Sequence, residues 1–506
     1  MSGLGRTKGV ALLGASGHLI EVEAHLAASV PSFALVGLPD ASLAEARDRV
    51  RAAIHSTGIA WPQRRITVNL SPASLPKSGS GFDLAIAVAT LAGAGVVSPA
   101  AAAPVVHLGE LGLDGRLHPV RGVLPAVLAA AEAGCERVVV PSANATEAQL
   151  IPGVEVLGAT CLAEVLAAYG ADVEIPVVPE VPVPARTGPA PVADLAEVLG
   201  QRTARWALEV AAAGGHHLFL VGPPGTGKTM LASRLPSLLP DLSDADAVEV
   251  TAIHSIAGTF DPGRGLVRRP PFEDPHHTAT PASVVGGGSG MPRPGAASRA
   301  HRGVLFMDEA PEFSSAVLQT LRQPLERGEL VLHRAAGAAR YPARFQLVMA
   351  ANPCPCGRGW GKGLECTCTP LARRRYFSRI SGPLLDRVDL QVEVLPPTRT
   401  DRAGGAGESS GVVAARVAEA RSRAAARWAG TPWRTNAEVP GASLRALGVP
   451  GQAEIERALD RGLLSLRGAD RVLRVAWTLA DLAGSAAPTR DQVGQALALR
   501  TRTAGA

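Results

Sequence analysis

Over residues 1–171, short β-rich runs alternate with Ala-rich runs whose apolar positions recur near every 3.6 residues. Residues 10–13, 32–37 and 65–69 read as strands, and residues 41–56 and 84–94 as helices. The pattern stops between 172 and 192, where six prolines (176, 179, 182, 184, 189 and 191) and Gly188 describe an extended linker. A second alternation fills 193–397: apolar runs at 218–221 and 304–307 suit buried strands, 345–352 reads as a third, and 230–239 begins a helix. A Gly/Ser stretch at 404–411 introduces an Arg/Ala-rich tail, so helices are expected across 398–506. No repeat of fixed period is present. The pattern predicts an α/β protein built from units 1–171, 193–397 and 398–506, in keeping with about 150 residues per domain.

Composition narrows the class. Charged residues are 19% and aromatics 4%, with 55 Gly and 41 Pro, which suits a packed α/β chain rather than a disordered one. A net charge of +5 is too small for a general polyanion binder and leaves room only for local basic surfaces. No apolar run approaches the roughly 20 residues of a bilayer span; the longest candidate, 84–106, is broken by Pro99 and Pro104. The apolar stretch 10–13 is too short for a secretory signal, so a cytoplasmic protein is expected. Lysine occurs only at 8, 77, 228 and 362, which makes each one informative.

One of these lysines carries the clearest chemistry. Gly222, Pro223, Pro224, Gly225, Thr226, Gly227, Lys228 and Thr229 form a complete phosphate-binding loop between an apolar strand and a helix. Such a loop turns successive backbone N–H groups onto the phosphates of ATP. Lys228 would reach the β- and γ-phosphates, and Thr229 would coordinate Mg²⁺. The strand 304–307 ends in Asp308, suited to hold Mg²⁺ through its water shell, and Glu309, suited to polarise the attacking water. Asn352 closes the third strand; it can orient that water or sense the γ-phosphate, or it can be a turn residue before Pro353.

Four of the six cysteines crowd into 354–368 as two C-x-C pairs, Cys354 with Cys356 and Cys366 with Cys368. Four soft thiolates suit a closed, structural Zn²⁺ site, although a reduced Gly-rich loop is the plainer alternative. Arg358, Trp360 and Lys362 between the pairs form a small basic-aromatic tip that could touch nucleic acid. Residues 275–290, with His276, His277 and a glycine run, are too long for a simple connection. Residues 328–344 read as a β-hairpin carrying Arg334, Arg340 and Arg344, either for a phosphate backbone or for an ordinary solvated edge.

Several long stretches, among them 36–40, 65–70, 79–84, 211–215, 275–278, 285–288, 351–357 and 380–387, resemble the ComM/YifB family of magnesium-chelatase-like AAA+ proteins nearly end to end. The resemblance implies an AAA+ core and a homo-hexameric ring with ATP between neighbours. It also implies a DNA helicase or branch-migration activity of the kind family members show in natural transformation. It assigns Arg387 to the neighbour's site, with Arg379 a weaker candidate, and Arg467 to the sensor arginine of a helical lid, with Arg471 the alternative. Trp477 departs from the family's usual arginine. The first domain resembles the Lon-protease-like (ribosomal-protein-fold-like) α/β fold, but Gly81 and Leu124 stand where a Ser–Lys dyad would be, beside Ser80 and Lys77. A non-catalytic platform is therefore expected. A chelatase-type or chaperone-like remodeller of a protein partner, with no DNA activity, is the competing function.

Overall fold

The computed structural model describes residues 3–37, 40, 43, 45–177, 193–288, 292–334, 337–361, 364–399, 401 and 407–501. Most of the proline-rich stretch (178–192) and Lys362 lie outside them, as do the side chains of Arg334 and Thr501.

Long antiparallel strands open the chain. β1 (Gly3–Leu13) and β2 (Ser16–Ala27) pair in register along their whole length, so the first strand is much longer than 10–13. β3 (Ser32–Val36), β4 (Arg65–Ser71) and the two-residue β5 (Val106–His107) follow, with a ribbon of β6 (Glu110–Leu111) and β7 (Leu117–His118) and then β8 (Arg137–Pro141) and β9 (Glu155–Ala159). Together they make a seven-stranded mixed sheet, ordered β3-β4-β2-β1-β5-β8-β9, with the ribbon beside it. Alternate residues of β2 (Ile20, Val22, Ala24, Leu26) are fully buried, the period-2 signature of a strand with one covered face. The helix Asp83–Ala94, which lacks an amphipathic stripe, is buried along most of its length against β1 and β2.

The second sheet is parallel. Its strands are β10 (Leu218–Val221), β11 (Phe272–Glu273), β14 (Val304–Met307), β17 (Gln346–Ala351) and β18 (Leu390–Glu393), in the order β11-β14-β17-β10-β18. Both faces are covered, as parallel sheets require. Leu218, Leu220, Phe306 and Val348 pack into one cluster, while Phe219, Val221, Met307 and Met349 pack into another. The first cluster also holds Val413, Val417, Val472, Leu473 and Val493, so helices Ser410–Arg427, Leu466–Ala483 and Arg490–Thr501 are built onto that face. Two further ribbons, β12 (Gly286–Gly287) with β13 (Arg293–Pro294) and β15 (Glu329–Arg334) with β16 (Gly337–Pro342), lie outside the two sheets, the second burying Leu330 and Tyr341.

The two sheets are joined by specific contacts. Helix Asp244–Ala257 packs against Val123–Glu132, burying Ala252 among N-terminal side chains, and Ser255 Oγ donates to Glu147 Oε1 at 2.5 Å. The β1–β2 turn grips the hairpin: Ala15 N donates to Arg340 O at 3.1 Å.

Candidate nucleotide site

The site is assembled by strand register. Val221 pairs with Ala351 and Met307 with Met349, so Gly222, Asp308 and Asn352 emerge together at the C-terminal edge of three adjacent strands. All four residues of β10 and all four of β14 are buried, which fixes the two exit points. Gly222 passes so close to Val394 O that any Cβ would fall 2.0 Å from it. Gly227 caps the following helix, Lys228–Arg234, at φ +89°, a conformation glycine adopts without strain. That helix ends sooner than 239: Pro236 turns residues Leu235–Leu238 into a 3₁₀ segment.

Lys228 is buried, and its ammonium donates to Gly222 O at 2.7 Å, Pro223 O at 2.9 Å and Asn352 Oδ1 at 3.2 Å. Burial lowers its pKa, against which the Asp308 and Glu309 carboxylates act. Thr229 Oγ1 donates to Asp308 Oδ2 at 2.6 Å, bringing a hydroxyl and a carboxylate oxygen to one point beside the loop. Two hard oxygen donors at the exposed mouth of a phosphate loop fit Mg²⁺, which takes few protein ligands and keeps several waters. Asp308 Oδ1 also accepts from Glu309 N at 2.9 Å. Glu309 itself adopts φ +50°, rare for a non-glycine residue, and its exposed carboxylate meets His277 Nδ1 at 3.3 Å. The His277 ring lies against that of His276, centroids 4.1 Å apart and planes tilted by 34°.

Arg387, Arg467 and Arg471 lie elsewhere. β18 starts level with β10, Leu390 opposite Leu218, so Arg387 sits at the N-terminal edge of the sheet. Four strand residues, about 13 Å at 3.3 Å each, separate that edge from the phosphate loop. The Arg387 guanidinium pairs with Glu326 and donates to Pro383 O, at the rim of a 910 Å³ cleft that also holds Asp386, Arg467 and Arg471. Burial first, then Arg322, Arg467 and Arg471, lower its pKa. Arg467 is exposed and lies 4.0 Å from Asp386 Oδ2, whereas Arg471 donates to the buried Asp389 at 2.6 Å. Despite the cost of burial, Arg471 and His216 hold the Asp389 carboxyl well below the usual carboxylate range. Arg379 donates to Glu312 at 3.0 Å, in the turn after Glu309. Trp477 packs under Arg427, 4.4 Å from its ring centroid, and Arg427 donates to Asp481 at 3.0 Å.

The four thiols converge: Cys354 lies 3.3 Å from Cys356 and 3.6 Å from Cys366, Cys356 lies 3.7 Å from Cys366, and all four sulfurs lie within 4.8 Å of one another. Burial and the neighbouring thiols push Cys354 up to about 12, while the Arg358 backbone N–H and Cys354 bring Cys356 down to about 6. In the N-terminal domain, Ser80 donates to Glu110 and the buried Lys77 to Pro72 O, so neither meets the other. Arg340 and Arg344 are exposed on the hairpin side, although Arg340 is held through its backbone by the N-terminal domain. Sequence reading missed His277 on Glu309, Glu326 on Arg387, and the nearness of the Tyr376 phenol to the Asn352 backbone. Each joins residues more than twenty positions apart in the chain, and no spacing announces them.

A five-stranded parallel sheet with a phosphate loop after one strand and an Asp–Glu pair after another is the architecture of a P-loop AAA+ protein. The chain matches the magnesium chelatase subunit ChlI family over residues 194–402, with further ChlI matches at 22–144 and, for the subunit's C-terminal region, 407–500. It is 39% identical to the competence protein ComM of Haemophilus influenzae, covering 97% of this chain and 96% of that one. It is 40% identical to the uncharacterized protein YifB of Escherichia coli (97% and 96%), and 52% identical to an uncharacterized protein of Mycobacterium tuberculosis (98% of each). The chain belongs to the ComM/YifB family of magnesium-chelatase-like AAA+ ATPases. Membership implies ATP and Mg²⁺ as cofactors and assembly into an oligomer. Among the described residues, no helix is long and apolar enough to cross a membrane.

Proposed function

We propose that this chain is a ring-forming AAA+ motor that couples ATP hydrolysis to movement of DNA, as a helicase or branch-migration factor. The contact between Thr229 Oγ1 and Asp308 Oδ2, 2.6 Å long and beside Lys228 and Asn352, carries the ATPase part of this reading. Main-chain N–H groups of the loop and Lys228 grip the triphosphate, and Thr229 and Asp308 hold Mg²⁺. Bound with ATP, Mg²⁺ neutralises charge that builds on the β- and γ-phosphates. Glu309 orients the attacking water and accepts its proton, Asn352 holds the water or γ-phosphate in line, and Arg387 of a neighbouring protomer meets the transition-state charge. Arg467 is the sensor arginine in this reading.

The DNA part rests on likeness to the Haemophilus influenzae competence protein along almost the whole chain and on the exposed Arg340 and Arg344 near the hairpin. In this reading residues 1–171 are a Lon-like platform without protease chemistry, 172–192 a linker, 193–397 the motor core and 398–506 a helical lid. Six protomers close a cytoplasmic ring, and the four thiols hold a structural Zn²⁺.

The test is branch migration on a synthetic four-way junction, with Lys228→Ala as the inactive control, beside ATPase assays with and without DNA. Stimulation by DNA and its loss on charge reversal at Arg334 and Arg340 support the motor. ATPase activity indifferent to DNA, with both reversals silent, replaces it with a chelatase-type or chaperone-like remodeller of a protein partner.

A further inference from the structure

The cysteine loop is not a remote appendage. It leaves β17 directly after Asn352, and Cys354, two residues on, is fully buried. Its first turn is closed by Gly357 N donating to Cys354 O at 3.0 Å, and Gly359 N donates to Cys354 Sγ at 3.2 Å. A tetrahedral thiolate site with metal–sulfur bonds of about 2.3 Å has sulfur–sulfur edges of roughly 3.8 Å. The 3.3, 3.6 and 3.7 Å separations fall close to that, without any disulfide.

Two contacts tie this cluster to the nucleotide loop. Gly357 lies against Pro224, so closely that a Cβ there would fall 2.7 Å from Pro224 Cγ. Beyond Cys368 the chain enters helix Pro370–Ser378, whose buried Tyr376 lies beside the Asn352 backbone. The segment thus begins and ends at Asn352, touches the phosphate loop in between, and is crossed by four convergent sulfurs.

We infer that Cys354, Cys356, Cys366 and Cys368 bind one thiophilic divalent cation of the Zn²⁺ type, and that this cross-link positions Pro224 and Asn352 for hydrolysis. The second half rests on the ATPase reading above; the first does not. The metal-held loop sets the γ-phosphate side of the site, so its loss slows turnover more than it weakens nucleotide binding.

Metal content of the purified full-length chain is measured by mass spectrometry, and the chain is reconstituted with Co²⁺. One Zn²⁺ per chain, and the intense near-ultraviolet thiolate-to-cobalt absorption of a four-sulfur site, are expected. Release of the metal with a mercurial, followed by thiol, is expected to lower kcat about tenfold, equivalent to about 1.4 kcal/mol in the barrier. The Kd for a fluorescent ATP analogue should change less than about threefold, well under 1.4 kcal/mol. Restored Zn²⁺ should recover the rate. Gly357→Ala is expected to keep its metal and still lose kcat, because the added methyl, at a φ +75° position, strains the turn and displaces Pro224. A chain that neither carries nor takes up Zn²⁺ or Co²⁺ overturns the site. Full metal occupancy, with kcat unchanged both on metal release and in Gly357→Ala, overturns the coupling. If wild type hydrolyses no ATP while binding one Zn²⁺, the ATPase reading fails and the metal site stands.

Discussion

His277 Nδ1 approaches Glu309 Oε2 at 3.3 Å, and Glu309 meets it from a backbone held at φ +50°. A carboxylate that must aim a water gains direction from such a partner, because an exposed Glu otherwise samples several rotamers. His277 comes from the segment after β11, read from the sequence as a long insertion; its imidazole instead reaches the site.

His277→Ala is therefore expected to lower kcat for ATP about tenfold, or about 1.4 kcal/mol in the barrier, with KM little changed. His277→Asn, which keeps a donor, should recover much of the loss. Equal kinetics for wild type and His277→Ala would show that the contact has no part in turnover.

Binding and hydrolysis should separate along the loop and the strand end. Glu309→Gln leaves Lys228, Thr229 and Asp308 in place, so it should hold ATP with near wild-type affinity while hydrolysis falls at least about 100-fold. Thr229→Ala removes the hydroxyl that meets Asp308 at 2.6 Å. That change should weaken Mg²⁺-dependent nucleotide binding itself, read as a rise in the Mg²⁺ concentration needed for half-maximal binding. Loss of binding in both variants would mean that Glu309 is part of the binding site and not confined to catalysis.

How much of this was readable in the chain follows from the kind of interaction involved. Gly222, Asp308 and Asn352 were legible because each follows a short β-strand signal, and buried parallel strands end where polarity begins. Their meeting depends on registers such as Val221 with Ala351, which belong to the sheet rather than to any segment. The stop at Arg234 was written in Pro236 but was overridden by the apolar run around it. Contacts such as Arg387 with Glu326 or His277 with Glu309 link side chains brought together only by folding, so local pattern carries no trace of them.

Arg387 and Lys228 stand at opposite ends of neighbouring strands, too far apart to share one phosphate. If Arg387 serves a neighbour's nucleotide, then Lys228→Ala and Arg387→Ala chains are each inactive alone but complementary when mixed. A mixed ring contains interfaces with an intact loop from one variant and an intact arginine from the other. Mixing the two variants at equal amounts, with subunit exchange, is expected to restore on the order of a quarter of wild-type ATPase activity, up to the cooperativity of the ring. Activity no higher than the average of the two separate proteins would remove Arg387 from the trans role.

His107 sits fully buried on β5, an inner strand of the N-terminal sheet, between Thr7 and Tyr169. The Thr7 hydroxyl donates to Val105 O at 3.0 Å, so a neutral ring donates from Nδ1 to Thr7 Oγ1 at 2.7 Å and accepts the Tyr169 hydroxyl at Nε2, 2.9 Å away. Every polar atom of the neutral ring is satisfied, and burial lowers its pKa from 6.5 to about 3. The unfolded chain therefore binds a proton below pH 6.5 that the folded domain refuses until about pH 3. Stability from this group is complete above pH 6.5 and is lost as pH falls, by about 1.4 kcal/mol per unit through the window in which only the unfolded form is protonated. The check compares wild type with His107→Gln by hydrogen exchange of peptides covering β1 and β8 in graded urea, at pH 6.5, 5.5 and 4.5. Wild type should lose stability more steeply toward acid than the variant, by about the slope just given. Parallel slopes would mean that the ring is protonated within the fold, and that the Thr7–His107–Tyr169 chain is not held in its neutral form.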